Sequence, residues 1–513
     1  MLQYTTKART YGLVKIVIII LLSVIFIGFF NKMNQAKSYY DAPSSVNILS
    51  RTKSVIPGDI LDSDGKVIVT TDLNGDRVYK GDRETNIAYS NLIGLQFNEK
   101  YSTLYSVEGS AAKYTYGFND EFNKFSFRGT LFDTLSGKRR GGAVKLTVDT
   151  ELQKKACSLS KEKSSRGGSV MIMNYETGDI LVEASGPGFD PNNKESIDVD
   201  DKGRYISTLE NNYMLTNKNL EYLRPAGSVQ KAVISAIALE SNQNLMNFTN
   251  DCKAVPANDK KSLKCHKNHA HGNISMRTAL TESCNKYFAN LAADKLGKDL
   301  LCKEIQKYGY DKELMLSQMH VRDGTFSGGK EKKMTGDELK MSAIGQGLSQ
   351  TTALNIGMIM GAFANKGAMV EPQSFLEAGY KDNELGVTFE PKVMSRVCSE
   401  NTANTMINMM KDVVNSGTGK RAKVPGYEIF GKTGTAEIFK GSDEMNSDSG
   451  NTDNISDVGS GKSSNFAWFA GGITGEKGPR LVIVVCLDKV SSTGGESAAD
   501  VAGKMLAEAV KKY

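Results

Sequence analysis

The sequence predicts an α/β fold of the α+β kind: one antiparallel sheet sandwiched by helices, set behind an N-terminal transmembrane helix and a small pedestal domain. Three observations carry this expectation. Residues 145–513 begin and end in strand-like runs and are largely helical between them, so the two ends should pair in one sheet with helices on its faces. Residues 16–30 are apolar apart from Ser23 and Gly28. A chain of 513 residues is also too long for one ordinary core, so two or more domains are expected.

The apolar run reaches back to Tyr11 if Lys15 snorkels, giving about 20 residues, enough to span a bilayer as a helix. This places a cytoplasmic N-terminus at 1–12, an anchor at 13–31 and a stalk at 32–53, with the remainder on the outer face of the cell membrane. Lys7 and Arg9 suit that orientation, although Lys32 and Lys37 follow the run. A cleaved signal peptide is the rival reading, but no clean A-x-A site follows. The pedestal, 54–144, opens with two apolar runs around Asp64-Gly65, a hairpin signal.

A clearer pattern starts at Val144. Residues 146–149 read as a short strand and 150–163 as a helix. Residues 169–173 and 180–182 flank Glu176-Thr177-Gly178 as a second hairpin. Residues 466–469 and 481–487 are strand-like, and the second run has the continuous β-branched character of a strand covered on both faces. An Ala-rich helix at 497–511 closes the chain. Residues 441–464, rich in Ser, Asp, Asn and Gly, read as a mobile loop. Charged residues make up 24% and hydrophobic residues 40% with a net charge of +6, a folded composition. No basic, aromatic-laced stretch occurs, which argues against nucleic acid.

The chemistry lies in three short segments. In RPAGSVQKAVISAIALESN (224–242), Ser228 begins a helix and Lys231 is the only charged residue between Ser228 and Leu239. Positions i and i+3 share a helix face, so Lys231 lies over Ser228. A lysine in apolar surroundings loses hydration and can act as a base, and a serine at a helix N-terminus sits near free N–H groups that favour developing negative charge. Together they make a serine nucleophile activated without histidine. Alone, Ser-x-x-Lys is common; the bland reading is an N-cap serine and a snorkelling lysine. Two further segments change the odds. Ser283-Cys284-Asn285 falls between two helical pieces, where a hydroxyl and an amide can face one cleft. Lys432-Thr433-Gly434-Thr435 reads as a strand where a ligand's backbone could approach closely.

In this order, the three segments resemble the set that marks penicillin-binding proteins and serine β-lactamases. The chain is similar to the class B penicillin-binding transpeptidases: LTVDTELQ at 146–153, GSVMIMNYETGDILVEAS at 168–185 and SAIGQGLSQTTAL at 342–354 add to the likeness. The resemblance implies the penicillin-binding transpeptidase fold and an enzyme, a serine-type D-Ala-D-Ala transpeptidase that cross-links peptidoglycan stem peptides and is acylated by β-lactams. It implies Ser228 as nucleophile, Lys231 as its base, Ser283 as proton relay, Asn285 as partner of Lys231 and of the substrate amide, and Lys432 as a source of positive potential that holds Ser283. Thr433, Gly434 and Thr435 would bind the substrate carboxylate side, with the N–H groups of Ser228 and Thr435 as oxyanion hole. No cofactor is implied; a membrane glycosyltransferase partner is. The chain departs from the family pattern at Ala226, between Pro225 and Gly227, and at Val229-Gln230, Pro57 and Thr352. Two rival functions are a β-lactamase, for which no Glu-x-x-Leu-Asn segment is present, and a non-catalytic scaffold or β-lactam sensor.

Seven cysteines are few and odd in number. Cys157, Cys302, Cys398 and Cys486 read as small buried hydrophobes. Cys252, Cys265 and Cys284 lie near His266, His269 and His271, and three readings stay open: a zinc site of no standard spacing, a Cys252–Cys265 disulfide, or a polar loop with free thiols. No metal ligand is assigned from the sequence.

Overall fold

Two sheets organise the chain. The structure, a computed structural model, describes residues 15, 18–23, 26–27, 55–72, 75–95, 105–116, 139–193, 213–259, 262–329, 334–379, 386–437 and 465–513. The tail at 1–12, most of the expected anchor, the stalk and the loop 441–464 lie outside them. Within the anchor, Lys15 and residues 18–23 and 26–27 are helical and exposed. Among the described residues no helix is long and apolar enough to cross a membrane.

The N-terminal sheet contains β1 (Ile60–Leu61), β2 (Val67–Thr71), β3 (Arg77–Tyr79) and β4 (Ala143–Leu146). It also takes β7 (Phe375–Gly379) and β8 (Val387–Thr388) from far down the chain, in the order β8-β7-β4-β1-β2-β3. The expected hairpin is there: the Asp62 N–H bonds the Lys66 carbonyl, and Gly65 takes the positive φ of 82° that the turn requires. Ile60, Val69, Val144, Leu146 and Phe375 form its small core with helix α1 (Arg83–Ile93). β4 straddles residues 144 and 145, and two strands from residues 375–388, read as part of the second domain, complete the first sheet.

The second sheet has the order β9-β10-β11-β5-β6, all antiparallel, built from β5 (Gly168–Asn174), β6 (Ile180–Ser185), β9 (Glu428–Glu437), β10 (Asn465–Thr474) and β11 (Leu481–Val490). The two ends of the domain pair as expected, Leu481 with Asn174 through Leu487 with Gly168. Side-chain alternation along these strands divides the core. Met171, Met173, Val482, Val484 and Cys486 face a large helical cluster that includes α3 (Gln230–Ser241), α6 (Ala353–Ala364) and α7 (Glu400–Asn415). Val170, Ile172, Ile483, Val485 and Leu487 face α2 (Thr150–Lys163) and α8 (Ala498–Ala509). Apolar side chains on both faces explain the unbroken β-branched run in β11, and Asp149, accepting from Leu152 N, caps α2 where the sequence turns from strand to helix.

Candidate active site

Ser228 sits, half-buried, in a 3-10 turn (Gly227–Val229) that leads into α3, rather than at the first residue of an α-helix. Lys231 lies one turn on and is fully buried. The turn packs tightly. Gly227 has φ +54°, and a Cβ there would fall 2.8 Å from the Thr435 carbonyl oxygen; its own N–H bonds the Gly345 carbonyl at 2.8 Å.

The second segment is a break between two six-residue helices, α4 (Met276–Thr281) and α5 (Asn285–Asn290). Ser283 is left-handed, φ +62°, a conformation L-residues avoid unless their surroundings enforce it. Here the Cys284 N–H bonds the Ala279 carbonyl at 2.9 Å, and the Cys284 sulfur caps α5 by accepting from Tyr287 N. The result turns both the carbonyl and the hydroxyl of Ser283 toward α3.

Three segments separated by 55 and 149 residues converge on that tip. The Lys231 Nζ donates to the Ser283 carbonyl at 2.7 Å, to Asn285 Oδ1 at 2.7 Å and, at 3.4 Å, to Ser283 Oγ. Lys432 Nζ, from β9, reaches the same Oγ at 3.0 Å and the Thr433 carbonyl at 3.0 Å. Asn285 is oriented from behind by the Lys264 carbonyl, which accepts from its Nδ2 at 2.9 Å. Burial strips water from Lys231 and lowers its pKa to about 7. Lys432 is held well below the ordinary lysine range, first by burial and then by the charge of Lys231.

The third segment forms the opposite wall. Gly434 lies so close to the Ser228 turn that a Cβ would meet the Ala226 carbonyl oxygen at 2.6 Å. Thr433 Oγ1 bonds Thr418, Thr435 Oγ1 accepts from Gly494 N at 3.1 Å, and Gln346 Nε2 donates to the Thr435 carbonyl at 3.4 Å. Neither Thr418 nor Gly494 carried any signal in the sequence. Gln346 did, through the Gly-Gln-Gly segment, but without a role.

The family model for the penicillin-binding protein transpeptidase domain matches residues 168–507. The chain belongs to this family. Among curated relatives, stage V sporulation protein D of Bacillus subtilis is 26% identical over 392 residues, covering 74% of this chain and 55% of the relative. The peptidoglycan D,D-transpeptidase MrdA of Acinetobacter baumannii is 27% identical over 315 residues, covering 58% and 45%. The chain thus spans about half the length of these two relatives. Among solved structures, penicillin-binding protein A from M. tuberculosis, as a ceftriaxone acyl-enzyme, matches with a TM-score of 0.72 at 22% identity, covering 90% of this chain and 99% of that one. The fold of the penicillin-binding transpeptidases is therefore present over nearly the whole chain.

Beside the family's three motifs lies a cluster of soft ligands. Cys252, Cys265, His271 and Cys284 bring one ligand atom each to within 4.8 Å of one another, and all three cysteines are buried. The Cys252 sulfur stands 3.6 Å from that of Cys265 and 3.3 Å from His271 Nδ1; the Cys265 and Cys284 sulfurs are 3.7 Å apart. A tetrahedral zinc with Zn–S bonds of about 2.3 Å has S···S edges of about 3.8 Å, so the spacing fits that ion. All three thiols are free. Hydrogen bonds from Cys284, and from the Lys286 and Asn285 N–H groups, lower the Cys265 pKa and favour its thiolate. Of the histidine trio only His271 joins the cluster; His266 and His269 are exposed. Cys284 is the middle residue of the penicillin-binding Ser-x-Asn motif, so the cluster and the motif share a backbone.

Proposed function

We propose that the chain is a peptidoglycan D,D-transpeptidase working through a Ser228 acyl-enzyme, on D-Ala-D-Ala stem peptides. The observation that carries it is the convergence of both lysine Nζ atoms on Ser283 Oγ, with Lys231 one turn from Ser228. Ser228 Oγ attacks the penultimate D-alanine carbonyl and passes its proton to Lys231, whose buried amine is neutral in a useful fraction near neutral pH. The oxyanion is received by the N–H groups of Ser228 and Thr435; one such donor is worth roughly 3 kcal/mol of barrier. Collapse breaks the amide bond, and the Ser283 hydroxyl delivers a proton to the departing D-alanine amine while Lys231 reprotonates it. An acceptor amine from a neighbouring strand then attacks the ester, and Ser228 regains its proton. Thr433 and Thr435 hold the substrate carboxylate, and its negative charge favours the protonated form of Lys432. β-Lactams acylate Ser228 in the same way.

The apolar segment at 13–31 anchors the chain in the cell membrane with the catalytic domain outside, a reading supported by the exposed helical Ile18, Ile19, Ile20, Leu21, Leu22, Phe26 and Ile27. A membrane glycosyltransferase partner follows from the resemblance. Cys252, Cys265, His271 and Cys284 would hold a zinc ion, and the chemistry it would supply there is a structural cross-link. The test is a fluorescent penicillin with the purified full chain. Wild type is labelled at one equivalent and Ser228→Ala is not; equal labelling of both chains overturns the acyl-enzyme reading. Elemental analysis finding no zinc overturns the metal reading alone.

A further inference from the structure

The loop that carries Ser228 is tied, residue by residue, to neighbouring strands of the sheet. Ala226 lies against Gly434 of β9. The Pro225 carbonyl accepts from Trp468 Nε1 of β10 at 3.0 Å. Arg224 grips β11 with a fork, Nε to Asp488 Oδ1 at 2.9 Å and Nη2 to Oδ2 at 3.2 Å, and its Nη1 reaches Ser169 Oγ of β5 at 3.2 Å and the Lys218 carbonyl at 3.0 Å. Those strands are themselves in register: Gly434 faces Trp468, Trp468 faces Cys486, and Cys486 faces Ser169. On its other side the loop exchanges two backbone bonds with Thr351, at 3.0 and 2.9 Å.

Arg224 is fully buried, four residues before Ser228, and it ends in a closed cage. Asp488 also receives Lys218 Nζ at 3.1 Å and the Tyr213 hydroxyl at 2.8 Å. Lys218 lies 3.5 Å from the centre of the Tyr213 ring, and Arg224 lies 4.5 Å from that of Tyr222. Two cations around one carboxylate are a poor route to stability, because apolar residues of similar volume often serve as well. What a planar fork on a carboxylate supplies is direction. Direction matters here because Gly227 and Gly434 leave no slack between the loop and β9. A slip along the strand would move the Ser228 N–H relative to that of Thr435.

We infer that Arg224 is a positioning residue: its fork on Asp488, with Ser169, fixes where residues 224–228 lie across the sheet and so sets the oxyanion geometry at Ser228. This rests on the acyl-enzyme reading above. The experiment separates the acylation rate constant k2 from the non-covalent constant K for a chromogenic penicillin in the full chain, alongside the melting temperature. Arg224→Lys keeps the cation and loses the fork; k2 falls roughly 10- to 100-fold with K changed less than about threefold. Lys218→Met disturbs the same carboxylate without touching the loop, and lowers the melting temperature with k2 within about threefold of wild type. A folded Arg224→Lys that acylates at the wild-type rate, or a Lys218→Met that loses as much k2, overturns the inference. Should Arg224→Lys not fold, Ser169→Ala removes one bond of the fork's support; an unchanged k2 there counts against it equally. Wild type that is never acylated sinks the transpeptidase reading itself, whereas acylated wild type with an unshifted Arg224→Lys sinks this inference alone.

Discussion

The two walls of the cleft are built by different means. The wall from β9 is held by backbone: ten consecutive residues, Glu428 to Glu437, pair with β10, and its functional residues inherit their places from that ladder. The opposite wall, Ser283 to Asn285, has no ladder. It is a kink between two six-residue helices, held by Lys231, by the Lys264 carbonyl, and by Cys284 in the thiol cluster. Short helices are weakly stable by themselves. A strand wall therefore tolerates loss of side chains but not added bulk, while the tip wall depends on a few ligands and should soften when they are removed.

The largest effect expected of this contrast is at Gly434. Gly434→Ala places a methyl 2.6 Å from the Ala226 carbonyl oxygen, so the acylation rate falls by roughly 100-fold or more while circular dichroism and the melting temperature change little. Acylation near the wild-type rate would show that the wall has slack. Next comes metal removal. With zinc in the thiol cluster as proposed, a chelator is expected to lower the melting temperature by roughly 5 °C or more and to slow acylation about tenfold, with both restored by added zinc. Cys284→Ser should reproduce much of this loss, whereas Cys398→Ser, away from the cluster, should not. A chelated protein that keeps its acylation rate breaks the comparison at its weaker wall.

A smaller effect concerns pH. Burial puts the Lys231 pKa at about 7, and in the proposed mechanism the neutral amine is the base. The acylation rate then rises up to tenfold per pH unit below that value and levels off above it. A profile flat from pH 5.5 to 8.5 would remove Lys231 from the base role.

The segments that meet at the candidate site were legible in the sequence, because Ser228/Lys231, Ser283/Asn285 and Lys432 are each local patterns, and Lys231, Ser283, Asn285 and Lys432 do come together. The paired termini of the second sheet were legible for a similar reason, since the β-branched run at 481–487 has to be covered on both faces. What escaped were contacts between residues far apart. Arg224 meets Asp488 and Pro225 meets Trp468 across more than 240 positions, and no periodicity announces such pairs. The placement of β7 and β8 in the first sheet was hidden likewise, by an excursion of more than 200 residues. Cys284 was read twice, as the residue between Ser283 and Asn285 and as a neighbour of Cys252 and Cys265, and spacing alone could not say whether its side chain faced the cleft. Its sulfur points the other way, into the cluster.

The central claim is that one serine, served by lysines from two distant segments, forms a covalent acyl-enzyme. Intact-mass spectrometry of the full chain after exposure to a β-lactam, followed by peptide mapping, addresses it directly. We predict a single adduct per chain, mapped to Ser228 and absent from Ser228→Ala. No adduct at saturating antibiotic, or one mapped to any other residue, would contradict the account.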